Sequence, residues 1–169
     1  MKKAVWSGII AAAGVLAFST SVYAQQTANG TVTVTANVNA KAKLTINGLA
    51  TTSISFADAD PDASPTVTAN TALAIAVKAR TAGNGAVTLT VRGLNLTSGT
   101  DTIAISALKW TSTGANFAGT GTSATTEVSV MSASGSGNYA GSQTYTLDNS
   151  WAYATGTYAT TLTYTLTAP

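Results

Sequence analysis

Cysteine and histidine are both missing from the 169 residues of this chain. Without histidine the commonest general base is gone, and without either residue so are the usual ligands of zinc and other transition metals. Without cysteine there is no thiol nucleophile and no disulfide framework, so strand pairing and packing must hold the fold. Charge is scarce as well: acidic and basic side chains make up 8% of the residues, against about 25% in an average soluble protein. A nucleophile elbow, a phosphate-binding loop and a dinucleotide fingerprint are all absent. A carboxylate pair could in principle cleave a glycoside, but three of the six acids sit in one short turn. The composition points away from an enzyme and calls for no cofactor.

Residues 1–24 read as a cleaved signal peptide. Lys2 and Lys3 form a basic start, Ile9 to Phe18 an apolar run too short for a good membrane anchor, and Val22-Tyr23-Ala24 a cleavage site. The expected route is export to the periplasm and then the cell surface. Cleavage also removes the apparent basicity. The formal charge is +2, but two of the eight basic residues are Lys2 and Lys3, which leaves six bases against six acids. A neutral mature chain gives no reason to expect nucleic acid as a partner, and it is read as not membrane-spanning.

What is present is alternation. From Thr31 to Ile46 polar and apolar residues alternate without interruption. Successive side chains of a strand point to opposite faces, so this is a ribbon with a dry and a wet side. At about 3.3 Å per residue it could extend some 50 Å, far more than an ordinary strand. Either it bends between two sheets, or its first half, with Val32, Val34, Ala36 and Val38, pairs outside its own domain. Shorter alternating runs follow, rich in threonine and punctuated by Gly, Asn, Asp and Pro. The spacing predicts a strand at Ser53–Phe56, an Asp/Pro turn over 57–65, and strands over 73–80 and 87–92 joined as a hairpin through Gly83-Asn84-Gly85. Lys78, Arg80 and Arg92 would then share one wet face. A bulge near Ala107 would reconcile Ile103 and Ile105 with Leu108 and Trp110, which fall on the other parity. Loops are expected over 113–126 and 132–141, with strands at 127–131, 143–147 and from Tyr158 to Thr167. The fold class is all-β, an immunoglobulin-like β-sandwich over 39–169 preceded by an extended arm over 25–38.

Two further clusters invite a site. Asp58, Asp60 and Asp62 alternate and could offer oxygens to calcium, but Ala63 and Ala69 stand where an EF-hand loop has its glycine and terminal glutamate. An Asp/Pro turn that keeps a loop soluble is the plainer reading, and no metal is expected. Among the aromatics, Trp110, Tyr145, Tyr158 and Tyr164 suit a core. Tyr139, Trp151 and Tyr153 lie among small polar residues and suit exposure, as a contact with a neighbour or a sugar platform.

The two ends of the chain resemble the pilins of chaperone–usher fimbriae, above all the alpha-type (class 5, colonisation-factor) major pilins. The alternating Thr31 to Val38 leading into Ala40 to Ile46 is similar to their amino-terminal extension. Gly156-Thr157-Tyr158 followed by Ala159 to Thr167 is similar to their final strand. Ala107-Leu108-Lys109-Trp110 and Gly141 to Leu147 fall between them in the same order, and the lack of cysteine suits the alpha type. Ala168 and Pro169 depart from the aromatic penultimate residue found in many pilins. The resemblance implies donor-strand exchange. Val32, Val34, Ala36 and Val38 of one subunit would fill a groove of the next, edged by Tyr158, Leu162, Tyr164 and Leu166. Its implied partners are further copies or related pilins, a periplasmic chaperone and an outer-membrane usher, and the product a fimbria serving adhesion or biofilm formation. The alternative is a self-contained secreted Ig-like module that binds a polysaccharide or surface without catalysis, its long ribbon folded into its own sandwich. Alternation also fits an outer-membrane barrel, but aromatic girdles are sparse and the outward faces are mostly Thr, Asn and Lys; a biofilm amyloid is a further alternative, since alternating uncharged runs can stack.

Overall fold

The computed structural model describes residues 31–169. The expected signal peptide (1–24) and residues 25–30 of the expected arm lie outside the described residues. Two compact units divide the chain, one ending at Ala36 and the other spanning Asn37–Pro169. In the first, residues 31–36 carry no strand and their side chains are exposed.

The second unit is built from antiparallel strands and a single 3-10 turn. Its strands are β1 (Lys41–Ile46), β2 (Thr66–Thr68), β3 (Leu73–Arg80), β4 (Ala86–Gly93), β5 (Leu96–Ser98), β6 (Asp101–Ile103), β7 (Leu108–Thr113), β8 (Thr120–Thr122), β9 (Val128–Ser134), β10 (Gly137–Asp148) and β11 (Leu162–Thr167). One sheet has the order β1-β3-β10-β7-β8, with β2 also on β10. A second has the order β11-β4-β9, and β5 and β6 form a small hairpin. The apolar faces of the two larger sheets share one core, consistent with a β-sandwich. Alternation accounts for it directly: Leu73, Ile75, Val77 and Ala79 of β3 are buried, as are Val87, Leu89 and Val91 of β4, while the residues between them are exposed or half-buried.

Several local expectations change. Of the sixteen-residue ribbon only its last six residues are a strand. Ser53–Phe56 is not a strand; its backbone meets Asn70 instead, through Asn70 N–H to Ser55 O and Ser55 N–H to Asn70 Oδ1. Gly83-Asn84-Gly85 does turn the chain, but β3 and β4 belong to different sheets, so the turn carries the chain from one layer to the other. Arg92 therefore lies on the opposite sheet from Lys78 and Arg80. The parity change before Trp110 is made by the 3-10 turn Ile105–Ala107, not by a bulge. A bulge occurs elsewhere, between Leu89 and Thr90 of β4 against β9. The expected loop 132–141 is the end of β9, the Gly135-Ser136 link and the start of β10, and the loop 113–126 contains β8.

Candidate functional site

The two sheets do not close on each other at one side. β1 pairs only with β3 and β11 only with β4 among the described strands, so each is an edge strand of its own sheet. Between them lies a cleft of about 300 Å³, lined by Leu44, Ile46, Leu49 and Ala50 on one wall and Leu162, Thr163 and Tyr164 on the other. Its walls are of mixed polarity, with the aliphatic side chains of Leu44, Ile46, Leu49 and Leu162 beside Thr163 and Tyr164, and its rim carries two rows of main-chain groups that make no strand ladder. This is the combination an added strand requires.

Local sequence shapes each wall. β1 ends at Asn47-Gly48, both at positive φ (52° and 75°), the geometry of a tight two-residue turn. Ile46 and Leu49 exchange N–H···O bonds of 3.0 Å across it. Asn47 is locked to β3, donating its N–H to Ala74 O and accepting the Ala74 N–H on Oδ1, each at 2.7 Å. The turn holds Leu49 at the cleft. The Asn-Gly dipeptide is a strong turn signal that the alternation overshadowed. On the other wall, Leu162, Tyr164 and Leu166 of β11 point inward but stay only half-buried, while Thr163, Thr165 and Thr167 are exposed.

The Tyr164 phenol crosses to the other sheet. Tyr145 O–H lies 2.7 Å from Tyr164 Oη, and Tyr164 O–H donates to Gln143 Oε1. Gln143 and Tyr145 are fully buried on β10. Burial pushes the Tyr145 phenol up to about 12, the hydrogen bond to Tyr164 pulling the other way. Tyr164 is also raised, by burial first and then by the neighbouring Tyr145. Gln143 Nε2 has no partner among the described residues. A glutamine on the core parity of its strand was the available signal for this link.

Of the expected groove edge, Leu162 and Tyr164 line the cleft and Leu166 continues their face along β11. Tyr158 does not join them: it precedes β11, and its O–H donates to Ala154 O at 3.0 Å. Of the expected donor residues, Val32, Val34 and Val38 are 87%, 86% and 68% exposed, and Ala36 is exposed as well.

Two of the three aspartates of the 57–65 turn accept hydrogen bonds. Asp60 Oδ1 accepts the Asp62 N–H at 2.9 Å, and Asp62 Oδ1 accepts the indole N–H of Trp151 at 3.1 Å. No group of His, Cys, Asp or Glu that could hold a metal ion occurs among the described residues. Asn149 fastens the same turn with Nδ2–H bonds to Ala59 O and Ser64 O. Trp151 is 70% exposed, Tyr153 is half-buried, and Tyr139 is half-buried with its O–H on the carbonyls of Ser134 and Gly135. A second depression, of about 320 Å³, lies along β7 and β8 where Trp110 packs over Gly121. Among the described residues no helix is long and apolar enough to cross a membrane.

Comparison with protein-family models and with curated proteins finds no significant match.

Proposed function

We propose that this chain is the structural subunit of a surface fimbria, exported by a signal peptide over 1–24 and assembled by donor-strand exchange on an Ig-like sandwich. One observation carries the reading. A cleft stands open between two edge strands, and the chain also contains an exposed ribbon with an apolar side chain at every second position. A neighbour's Val32, Val34, Ala36 and Val38 would lie in the cleft, and its backbone would extend the ladder of β11. Each fully buried valine contributes up to about 1.5–3 kcal/mol, so the three valines together would contribute several kcal/mol toward ordering the arm, beside its main-chain ladder. The addition is heterologous and does not close on itself, so it yields a filament and not a ring. The subunit is non-catalytic and needs no cofactor. A periplasmic chaperone and an outer-membrane usher are its expected escorts.

The test is to delete Gln25–Val38 and look for filaments by electron microscopy. The expected result is loss of polymers with a folded, chaperone-bound monomer remaining. Polymers formed by the deleted chain would refute the proposal. The second reading, a self-contained secreted binding module, draws on the fact that Asn37–Pro169 is compact by itself with a fully buried centre. It requires the whole chain to stay monomeric in gel filtration at high concentration.

A further inference from the structure

Four of the basic side chains gather at one end of the larger sheet. Lys41 stands opposite Arg80 and Lys43 opposite Lys78 in the β1–β3 ladder, and all four side chains are exposed. Like charges directly opposite one another destabilise a sheet. No acid relieves them: the ion pair found among the described residues is Lys109–Asp148, on other strands.

The acidic turn lies at the far end of the same sheet. β10 registers its first residue, Gly137, against Ala79, beside the cations, and its last residue, Asp148, against Thr66. Asn149 and Trp151 then bind the turn that holds Asp58, Asp60 and Asp62. The 12 residues of β10 at about 3.3 Å each set the two ends some 35 Å apart. That is about four times the Debye length of roughly 8 Å at physiological salt. The two groups therefore cannot neutralise each other within one molecule.

The two charged ends match the two parts of the strand-exchange site. The chain enters β1 at Lys41, so the ribbon joins the domain at the cationic end. The cleft is lined by the far half of β1 and by Leu162, which registers against Gly93 at the end of β4 away from the Arg80–Ala86 turn. It thus lies toward the acidic end. A translation that brings one copy's ribbon to another copy's cleft also brings cations to aspartates.

We propose that the Lys41/Lys43/Lys78/Arg80 face is an interaction surface for a second copy of this chain and docks on that copy's Asp58/Asp60/Asp62 turn. The inference rests on the strand-exchange reading and adds the contact that steers and aligns it. Opposed charged surfaces speed encounter and fix orientation. Trp151, held by Asp62 with its ring exposed, sits where arriving cations would cover it and supplies a face for them.

Two charge-reversed full chains test this: Lys41→Glu, Lys43→Glu, Lys78→Glu and Arg80→Glu together, and Asp58→Lys with Asp62→Lys, each checked for an unchanged melting curve. If Asp62→Lys disturbs the turn, Asp58→Lys with Asp60→Lys, which leaves Asp62 on Trp151, replaces that pair. Polymerisation is followed by light scattering, and Trp151 by its emission and quenching. Each variant alone is expected to assemble roughly tenfold or more slowly. An equimolar mixture restores the rate, because each contact in a mixed filament again joins opposite signs. The wild-type rate falls in about 1 M salt, and Trp151 becomes shielded from quencher on assembly. Reversed chains that assemble at the wild-type rate, or a mixture that gives no rescue, overturn the inference. So does capture by anionic vesicles with self-assembly unaffected. The arm-deleted chain run in parallel separates the two ideas. If it alone fails to assemble, only the docking surface is wrong; if it assembles too, strand exchange itself is wrong.

Discussion

Tyr145 and Tyr164 meet phenol to phenol at 2.7 Å, which ties the last strand to the middle of the opposite sheet. Tyr164 also reaches Gln143, so one hydroxyl serves two buried groups. A strand with one open edge is thereby held in register by a polar contact, where slippage by one residue would turn Thr163 and Thr165 inward.

Tyr164→Phe should therefore cost more than one ordinary hydrogen bond. It removes the partner that Gln143 Oε1 and the Tyr145 hydroxyl share and leaves them only their own long contact of 3.5 Å, and a poorly satisfied buried polar group costs about 1–3 kcal/mol. The expected result is a lower denaturation midpoint with an unchanged slope in urea.

Alkali should loosen the fold through the same pair. Burial holds the Tyr145 phenol up at about 12 against an ordinary 10.0, so the native state keeps a proton that the unfolded chain releases. The contribution is complete below about pH 10 and is lost as pH rises from 10 through 12. Two units correspond to about 3 kcal/mol. Urea melts at rising pH should show this decline, preceding the appearance of tyrosinate absorbance from Tyr145.

Gly121→Ala should be poorly tolerated. A methyl group there would overlap the six-membered ring of Trp110 directly across the β7–β8 pair. Overpacking of this kind costs about 1–3 kcal/mol, and Trp110 fluorescence would report the displaced ring.

Asn47→Ala should cost about 1–2 kcal/mol: it removes the side-chain acceptor of the Ala74 N–H and places a residue with little tolerance for the left-handed region at φ 52°. Asn47→Gly keeps the turn and loses only the side-chain hydrogen bonds, from the Ala74 N–H to Oδ1 and from Nδ2 to Thr52 Oγ1. Thermal melts should order the three proteins wild type, Gly, Ala.

Val34→Asp should leave the domain's melting temperature unchanged, since Val34 is 86% exposed and such surface changes usually stay within about 0.5 kcal/mol. Its expected effect is on assembly alone, read as lost filaments in micrographs.

Strands with bulky alternation were legible in the residues. Leu73 to Ala79 and Val87 to Val91 announce both their extent and their inward faces. The first half of β10 was not: Gly137, Asn138, Ala140, Gly141 and Ser142 have little intrinsic strand preference. They are extended because β3 and, further on, β7 flank them, and Gly141 is needed where Thr113 O and the Phe117 ring approach the backbone. Ser53–Phe56 errs the other way, with good strand residues that find no neighbouring strand. The hydrophobic wall Leu162–Tyr164 was read from its period, whereas the turn at Asn47-Gly48 and the role of Gln143 depend on partners far along the chain.

The two open edges are unequally protected. Lys41 and Lys43 guard β1, and charge on an edge strand discourages casual pairing. β11 has only threonines on its outer face, with no charge from Leu162 to Thr167. Of the two, β11 is the edge expected to pair first with another molecule, and a single lysine at Thr165 should be enough to keep molecules dispersed.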